Sequence, residues 1–230
     1  MVQADRDPRT REAASTRDRL IATAVRLFGE KGIAATSLRA LTDAAGANVA
    51  AVNYHFGSKE GLLRAVIDRT MRAVNDERRR LLDELESAPE PPSMAALVRA
   101  FVEPAADLAD RHGPSGPDIA RFIGRVISEP DPQTRQIFAD QVRPVEGRYL
   151  AALGRALPGV DEEHVRFAFT CMLGLLSLHQ TGTFRTVDWQ PGPDRTPPAD
   201  RPRAADRERL VAFITGGILA TLPDEAATGA

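Results

Sequence analysis

Residues 15–69 read STRDRLIATAVRLFGEKGIAATSLRALTDAAGANVAAVNYHFGSKEGLLRAVIDR, and the spacing of apolar and punctuating residues in this stretch decides the fold. Leu20, Ile21, Ala24, Leu27 and Phe28 recur at helical spacing as one apolar stripe, which predicts a helix from about Thr16 to Glu30. Gly32 suits a left-handed stop behind it. Thr36 or Ser37 then caps a second, short helix that carries Leu38, Leu41 and Ala45. Gly46 marks a tight turn, and Asn48 caps a third short helix running to His55. Val52 and Phe56, one turn apart on it, face inward. Ser58 caps a helix over 59–86, roughly 40 Å long at about 1.5 Å per residue. Three short helices with a glycine turn between the second and third describe a helix-turn-helix bundle.

Outward from this segment the pattern stays helical. Ala88 to Ser93 holds three prolines and breaks the long helix. Further helices are predicted over Met94–Arg111, Pro117–Ser128, Asp131–Leu157 (interrupted at Pro144), Glu162–Thr181 and Asp206–Leu222. Residues 1–14 read as a flexible polar arm, and 183–205, with five prolines, as a loop. No strand pattern or internal repeat stands out, so the expectation is all-α. Residues 15–62 form the helix-turn-helix domain, the fourth helix connects, and 63–230 form a larger helical-bundle regulatory and dimerisation domain.

Bulk composition narrows the class without deciding it. The chain has 230 residues, 43% of them hydrophobic, enough for a packed core. Its single cysteine, Cys171, excludes an intrachain disulfide. The polar, charged start is unlike a secretory signal. The apolar stretches Thr170–Leu178 and Leu210–Leu222 fall short of the ~20 residues a membrane helix needs. A cytoplasmic protein that engages no membrane is expected. Residues 1–60 carry nine Lys/Arg against seven Asp/Glu. Charge is therefore a weak pointer, and any case for nucleic acid must rest on a local motif.

That motif is a resemblance. Leu27-Phe28, Gly32, Thr36-Ser37-Leu38, Ala45-Gly46, Val52-Asn53-Tyr54-His55-Phe56 and Ser58-Lys59 resemble, in order and spacing, the tetracycline-repressor (TetR) family of bacterial regulators. The resemblance implies an all-α homodimer that binds double-stranded operator DNA through its N-terminal domains and responds to a ligand in its C-terminal half. Phe122–Pro130 (FIGRVISEP), Cys171–Leu175 (CMLGL) and Ala50–Lys59 (AAVNYHFGSK) resemble the PsrA-like branch, which implies a fatty acid or related lipid as effector.

The residues support a DNA-reading surface on their own chemistry. Asn53 and Tyr54 lie outward between Val52 and Phe56, and an Asn amide pairs bidentately with adenine in the major groove. Ala50 and Ala51 keep the helix slim. The family often has Ser or Thr at position 51, so specificity leans on Asn53, Asn48 and Arg39. Tyr54, His55 and Lys59 are candidate phosphate contacts. Thr36 and Ser37 open the second helix, where free amides favour an anion. Each of these also has a plainer reading as a helix cap, packing residue or solvated charge.

In the C-terminal half, Phe101, Phe122, Ile123, Val126, Phe138, Val142, Tyr149, Phe167 and Met172 are candidate linings of an apolar effector pocket, with Arg125 or Arg143 to meet a carboxylate; the plain alternative is an ordinary core. Gly174, Leu175, Leu178, Phe213, Gly217 and Ile218, on the last two helices, are the expected dimer contacts. Two rival functions fit the residues less well. An enzyme lacks residues to carry it: no phosphate-binding or dinucleotide fingerprint is present, Gly113–Pro117 (GPSGP) departs from a nucleophile elbow, and His112, His164 and His179 have no ligand-like spacing. No catalytic residue, metal or cofactor is therefore expected. A helical interaction protein without DNA binding is opposed by Tyr54-His55 and Lys59. The expected sign of regulation is repression relieved by ligand, with activation as the alternative.

Overall fold

A computed structural model of the chain describes residues 8–106, 112–181 and 203–222. Among these residues the fold is all-α, with nine helices, one 3-10 turn and no strand. The helices are α1 (Pro8–Lys31), α2 (Leu38–Ala45), α3 (Val49–Phe56), α4 (Lys59–Ser87), α5 (Met94–Ala106), α6 (Gly116–Ile127), α7 (Pro132–Ala156), α8 (Glu162–Thr181) and α9 (Arg203–Ala220).

The helix starts follow side chains that satisfy free backbone amides. Ser37 Oγ accepts from the Ala40 N–H at 3.1 Å, Asn48 Oδ1 from Ala51 at 2.9 Å and Ser58 Oγ from Gly61 at 3.1 Å. Asp131 opens α7 by accepting from Thr134 at 2.8 Å, with Pro132 at the first helical position. Gly46 adopts φ 60°, and the turn closes as the Ala47 N–H donates to the Thr42 carbonyl at 2.9 Å. That left-handed conformation is open to glycine and costly for most other residues, which is why α2 stops there and the chain turns into α3.

Three boundaries differ from expectation. The first helix begins at Pro8, so residues 8–14 are helical rather than part of an arm; Pro at a helix start costs no hydrogen bond. The last helix begins at Arg203, and the rest of the expected loop over 183–205, like residues 1–7, lies outside the described residues. Third, α7 runs through Pro144 without interruption. Pro144 and Asp140, one turn earlier, are both exposed, so the carbonyl that loses its amide partner faces water and the cost of the proline is reduced.

α4 is the strut of the molecule. Its first turns, through Leu62 and Leu63, close the small bundle of α1, α2 and α3 over Leu20, Phe28, Leu41 and Val52. Farther along, Ile67, Met71, Val74 and Leu82 face the larger bundle, with α5 and α7 on either side. α6 packs on both α1 and α8, and α9 on α5 and α8. Exposed ion pairs trim these contacts. Arg148 joins α7 to Asp83 (2.8 Å) and Glu86 (2.7 Å) on α4, and Arg99 grips Glu208 of α9 through its two terminal guanidinium nitrogens at 2.6 and 2.8 Å. Exposed pairs of this kind each contribute ~1 kcal/mol or less.

Candidate nucleic-acid interface

The third helix separates its faces sharply. Val52 has no exposed surface, whereas Tyr54 is 82% exposed and Asn48, Ala50 and Asn53 are also open to solvent. Ala51, His55 and Phe56 are half-buried at the edges. The Tyr54 and His55 rings meet edge-on with centroids 4.9 Å apart, so each limits the other's rotation. Ser37 and Arg39 lie exposed at the start of α2. Small residues on the outer surface of α3 leave its polar groups unobstructed, the shape a helix needs to enter the major groove.

Two candidates fall off this surface. Thr36 is buried, and its hydroxyl donates to the Gly32 carbonyl at 2.7 Å. It closes the α1–α2 turn, while the neighbouring hydroxyl of Ser37 supplies the cap. Lys59 is half-buried, and its Nζ donates to the Ile33 carbonyl at 2.6 Å, bracing the start of α4 against the α1–α2 turn. Burial lowers its pKa, with Glu60 opposing in part. Its unfavourable place at a helix N-terminus thus has an explanation within the fold. It also lines a small cavity of about 150 Å³ with Glu129, Asp131 and Thr134 of the α6–α7 turn.

The structure adds residues that spacing does not reveal. The Arg17 guanidinium lies 5.4 Å from the centroid of the Phe56 ring, covering the end of α3. Arg19 Nε donates to the Ala45 carbonyl at 3.4 Å, at the C-terminal end of α2. Gly61 has no room for a side chain, since a Cβ there would lie 1.9 Å from the Phe56 carbonyl oxygen. That glycine lets α4 start against the end of α3, and so fixes the angle at which α3 is presented.

The family profile described as "Bacterial regulatory proteins, tetR family" matches residues 20–66, and "Tetracyclin repressor-like, C-terminal domain" matches residues 99–217, more than half of the chain. The chain belongs to the TetR family. It is a DNA-binding transcriptional regulator, with the helix-turn-helix at its N-terminal end. The chain is 42% identical over 53 residues to "Probable HTH-type transcriptional regulator YttP" of Bacillus subtilis, an alignment spanning 23% of this chain and 26% of that relative. Two solved structures share the fold across both domains. The regulator PfmR of Thermus thermophilus is 23% identical, with a TM-score of 0.57 over 90% of this chain and 97% of its own. The fatty acid degradation regulator FadR of Bacillus halodurans is 16% identical, with a TM-score of 0.60 over 93% and 97%.

In the C-terminal half of this TetR-family chain, eight of the nine candidate pocket residues are inward. Phe101, Phe122, Ile123, Val126, Val142, Tyr149 and Met172 are buried and Phe138 half-buried. Phe101 stacks edge-on with Tyr149 and Phe169 at 5.0 and 5.1 Å. Phe167 does not belong with them. It is 59% exposed, on the outer face of α8, while Phe169, two positions on, takes the inner place. Arg125 is exposed, and its Nε donates to the Gly29 carbonyl at 3.3 Å, a bond between α6 and α1. Arg143 lies at an open cleft between α7 and α8. Among the expected dimer contacts, Gly174, Leu178, Phe213 and Gly217 are exposed and Leu175 is half-buried. Ile218 is instead buried within the chain, continuing the inner stripe of Val211 and Ile214 on α9. No helix among the described residues is long and apolar enough to cross a membrane.

Proposed function

We propose that this protein is a homodimeric repressor that leaves its operator when a small, largely apolar effector binds the C-terminal bundle. The observation that carries the DNA-reading part is the split of α3, with Val52 fully buried and Asn53 and Tyr54 turned out beside it. Pairing two copies through the exposed face of α8 and α9 sets two such helices side by side. A dimer reading half-sites needs a separation of about 34–36 Å or a multiple of it. The resemblance to the PsrA-like branch favours a fatty acid or related lipid as the effector.

Relief of repression needs a physical link between bundle and DNA-reading helices. α6 supplies it, since it packs on α8 in the bundle and on α1 in the N-terminal domain. An effector that favours a different seat for α6 lowers operator affinity by its preference between the two arrangements, typically ~1–3 kcal/mol.

The test is fluorescence anisotropy with fragments of the DNA flanking the protein's own gene. The wild-type protein is expected to prefer one fragment over unrelated DNA. Asn53→Ala should weaken that preference by about 5- to 150-fold, the range of one bidentate base contact, and leave nonspecific binding unchanged. A wild-type protein without preference for any fragment would refute the proposal.

A further inference from the structure

Arg78 is an unusual core residue. It is 3% exposed, on the inner face of α4. Its Nε donates to the Phe101 carbonyl at 2.9 Å, and its guanidinium carbon lies 3.6 Å from the centroid of the Phe101 ring. Burial lowers its pKa only to about 10, so it stays a cation near neutrality. A guanidinium has five N–H donors, and the bond to Phe101 is the one it makes among the described residues. Glu146 on α7 is the carboxylate whose charge it feels, yet the two form no ion pair within 4.0 Å among those residues.

A buried polar atom without a partner among the described residues lies one turn away. Asn75 is 6% exposed, and its amide is oriented by donation from Nδ2 to the Gln141 carbonyl at 3.3 Å. That leaves Oδ1 buried with no hydrogen-bond partner among the described residues. Residues three apart on a helix are neighbours on one face. α4 therefore offers an anion-seeking fork and an unfilled acceptor on its inner side. Glu146, whose charge Arg78 feels, also lines the α7–α8 cleft, about 650 Å³ in volume, with Leu150, Val160 and Val165 on its walls. That volume lies in the range of small-molecule sites.

We infer that Arg78 is the anion-binding group of an effector site reached from the α7–α8 cleft, with Asn75 as hydrogen-bond acceptor and Glu146 as displaceable counter-charge. The ligand class is an apolar molecule bearing one carboxylate, with a hydroxyl or N–H beside it for Asn75. This inference rests on the reading of the protein as effector-responsive. A carboxylate that meets the guanidinium forms strong, charge-assisted bonds with the N–H groups that the Phe101 carbonyl does not take. An alcohol of the same length supplies neither.

Isothermal titration of the full chain, without DNA, tests this with decanoate, 3-hydroxydecanoate and 1-decanol. The wild type should bind decanoate at least about 10-fold more tightly than decanol, and the 3-hydroxy acid more tightly still. Arg78→Met, which fits an apolar chain of similar length into the same space, should abolish the preference for decanoate while keeping decanol binding. Asn75→Ala should remove only the advantage of the hydroxyl, and it tests the same site if Arg78→Met fails to fold. Wild-type protein that binds neither acid at millimolar concentration, or that does not prefer acid to alcohol, overturns the inference, as does a preference retained in Arg78→Met; Arg78 is then a strut for the Phe101 carbonyl alone. Operator binding measured in parallel separates the two readings. A protein that holds DNA without preferring acids sinks this inference alone, and one that prefers acids without holding DNA sinks the repressor proposal.

Discussion

At the scale of single residues, nearby positions of this chain have opposite fates. Val52 and Tyr54 are two residues apart, one without exposed surface and the other 82% exposed. A large aromatic left in water contributes little to folding, so Tyr54→Ala should change stability by no more than the ~0.5 kcal/mol usual for surface changes, yet weaken operator binding clearly. Thermal melts beside anisotropy check this, and a variant that melts much earlier would place Tyr54 in the core instead. Glu146 supplies a pH test. Burial raises its pKa, with Arg78 and Arg143 pulling the other way. A carboxyl raised on folding favours the fold fully below its unfolded value, about 4.5, and that contribution is lost as pH rises through the folded value. Glu146→Gln should therefore raise the melting temperature at pH 7–8, with a gain that shrinks toward pH 4.5; a gain that grows on acidification would contradict the assignment. Caps such as Ser37, Asn48 and Ser58 were legible in the sequence because cap chemistry is local. The burial of Thr36, the exchange of Phe167 for Phe169 and the burial of Arg78 were not, because each depends on which neighbour the folded chain brings close.

Among helices, two glycines act as spacers of different strictness. At Gly29 a Cβ would lie 3.3 Å from the Asp118 carbonyl oxygen and 3.3 Å from the Phe122 nitrogen, so α1 and α6 nearly touch through their backbones. At Gly61 the obstacle is the Phe56 oxygen at 1.9 Å. Gly29→Ala should cost ~1–3 kcal/mol, the usual range for overpacking, and should reseat α6 on α1, changing operator affinity in a folded protein. Gly61→Ala should cost more and abolish DNA binding, since α3 and α4 cannot both keep their places. Melting temperature with operator titration distinguishes them; equal and negligible effects in both would remove α6 as the link to the DNA-reading helices. The number and order of helices were readable because each carries its own apolar stripe, as in α1 and α9. Helix boundaries at prolines were less so. Pro144 reads as a break, yet its effect depends on whether the orphaned carbonyl reaches water, and that is settled by which face of α7 is outward. The crossing of α1 and α6 has no local signature, because it joins residues almost a hundred positions apart.

For the molecule as a whole, the outer face of α8 and α9 is the feature a single chain leaves unfinished. Phe167 is 59% exposed, Phe213 68% and Leu178 40%, with Gly174 and Gly217 on the same surfaces. Apolar side chains of this size carry ~1.5–3 kcal/mol each when removed from water, and glycines among them let a second backbone approach. A symmetric pair would place each patch against its own copy. Phe213→Glu tests this with little risk to the fold, since the side chain is solvent-facing in one chain and Ile218 and Val211 hold α9 from the other side. Two carboxylates brought together in an apolar interface would be desolvated without partners. The expected result is sedimentation near 24.9 kDa in place of twice that mass, a melting curve still cooperative, and operator affinity reduced to that of a single half-site. The last point follows from linkage: when two half-sites are held on one body, the second binds at high effective concentration, and separating them forfeits that gain without altering any contact to DNA. If Phe213→Glu stays dimeric and keeps its affinity, the copies meet elsewhere and the spacing of the two α3 helices must be set by another surface.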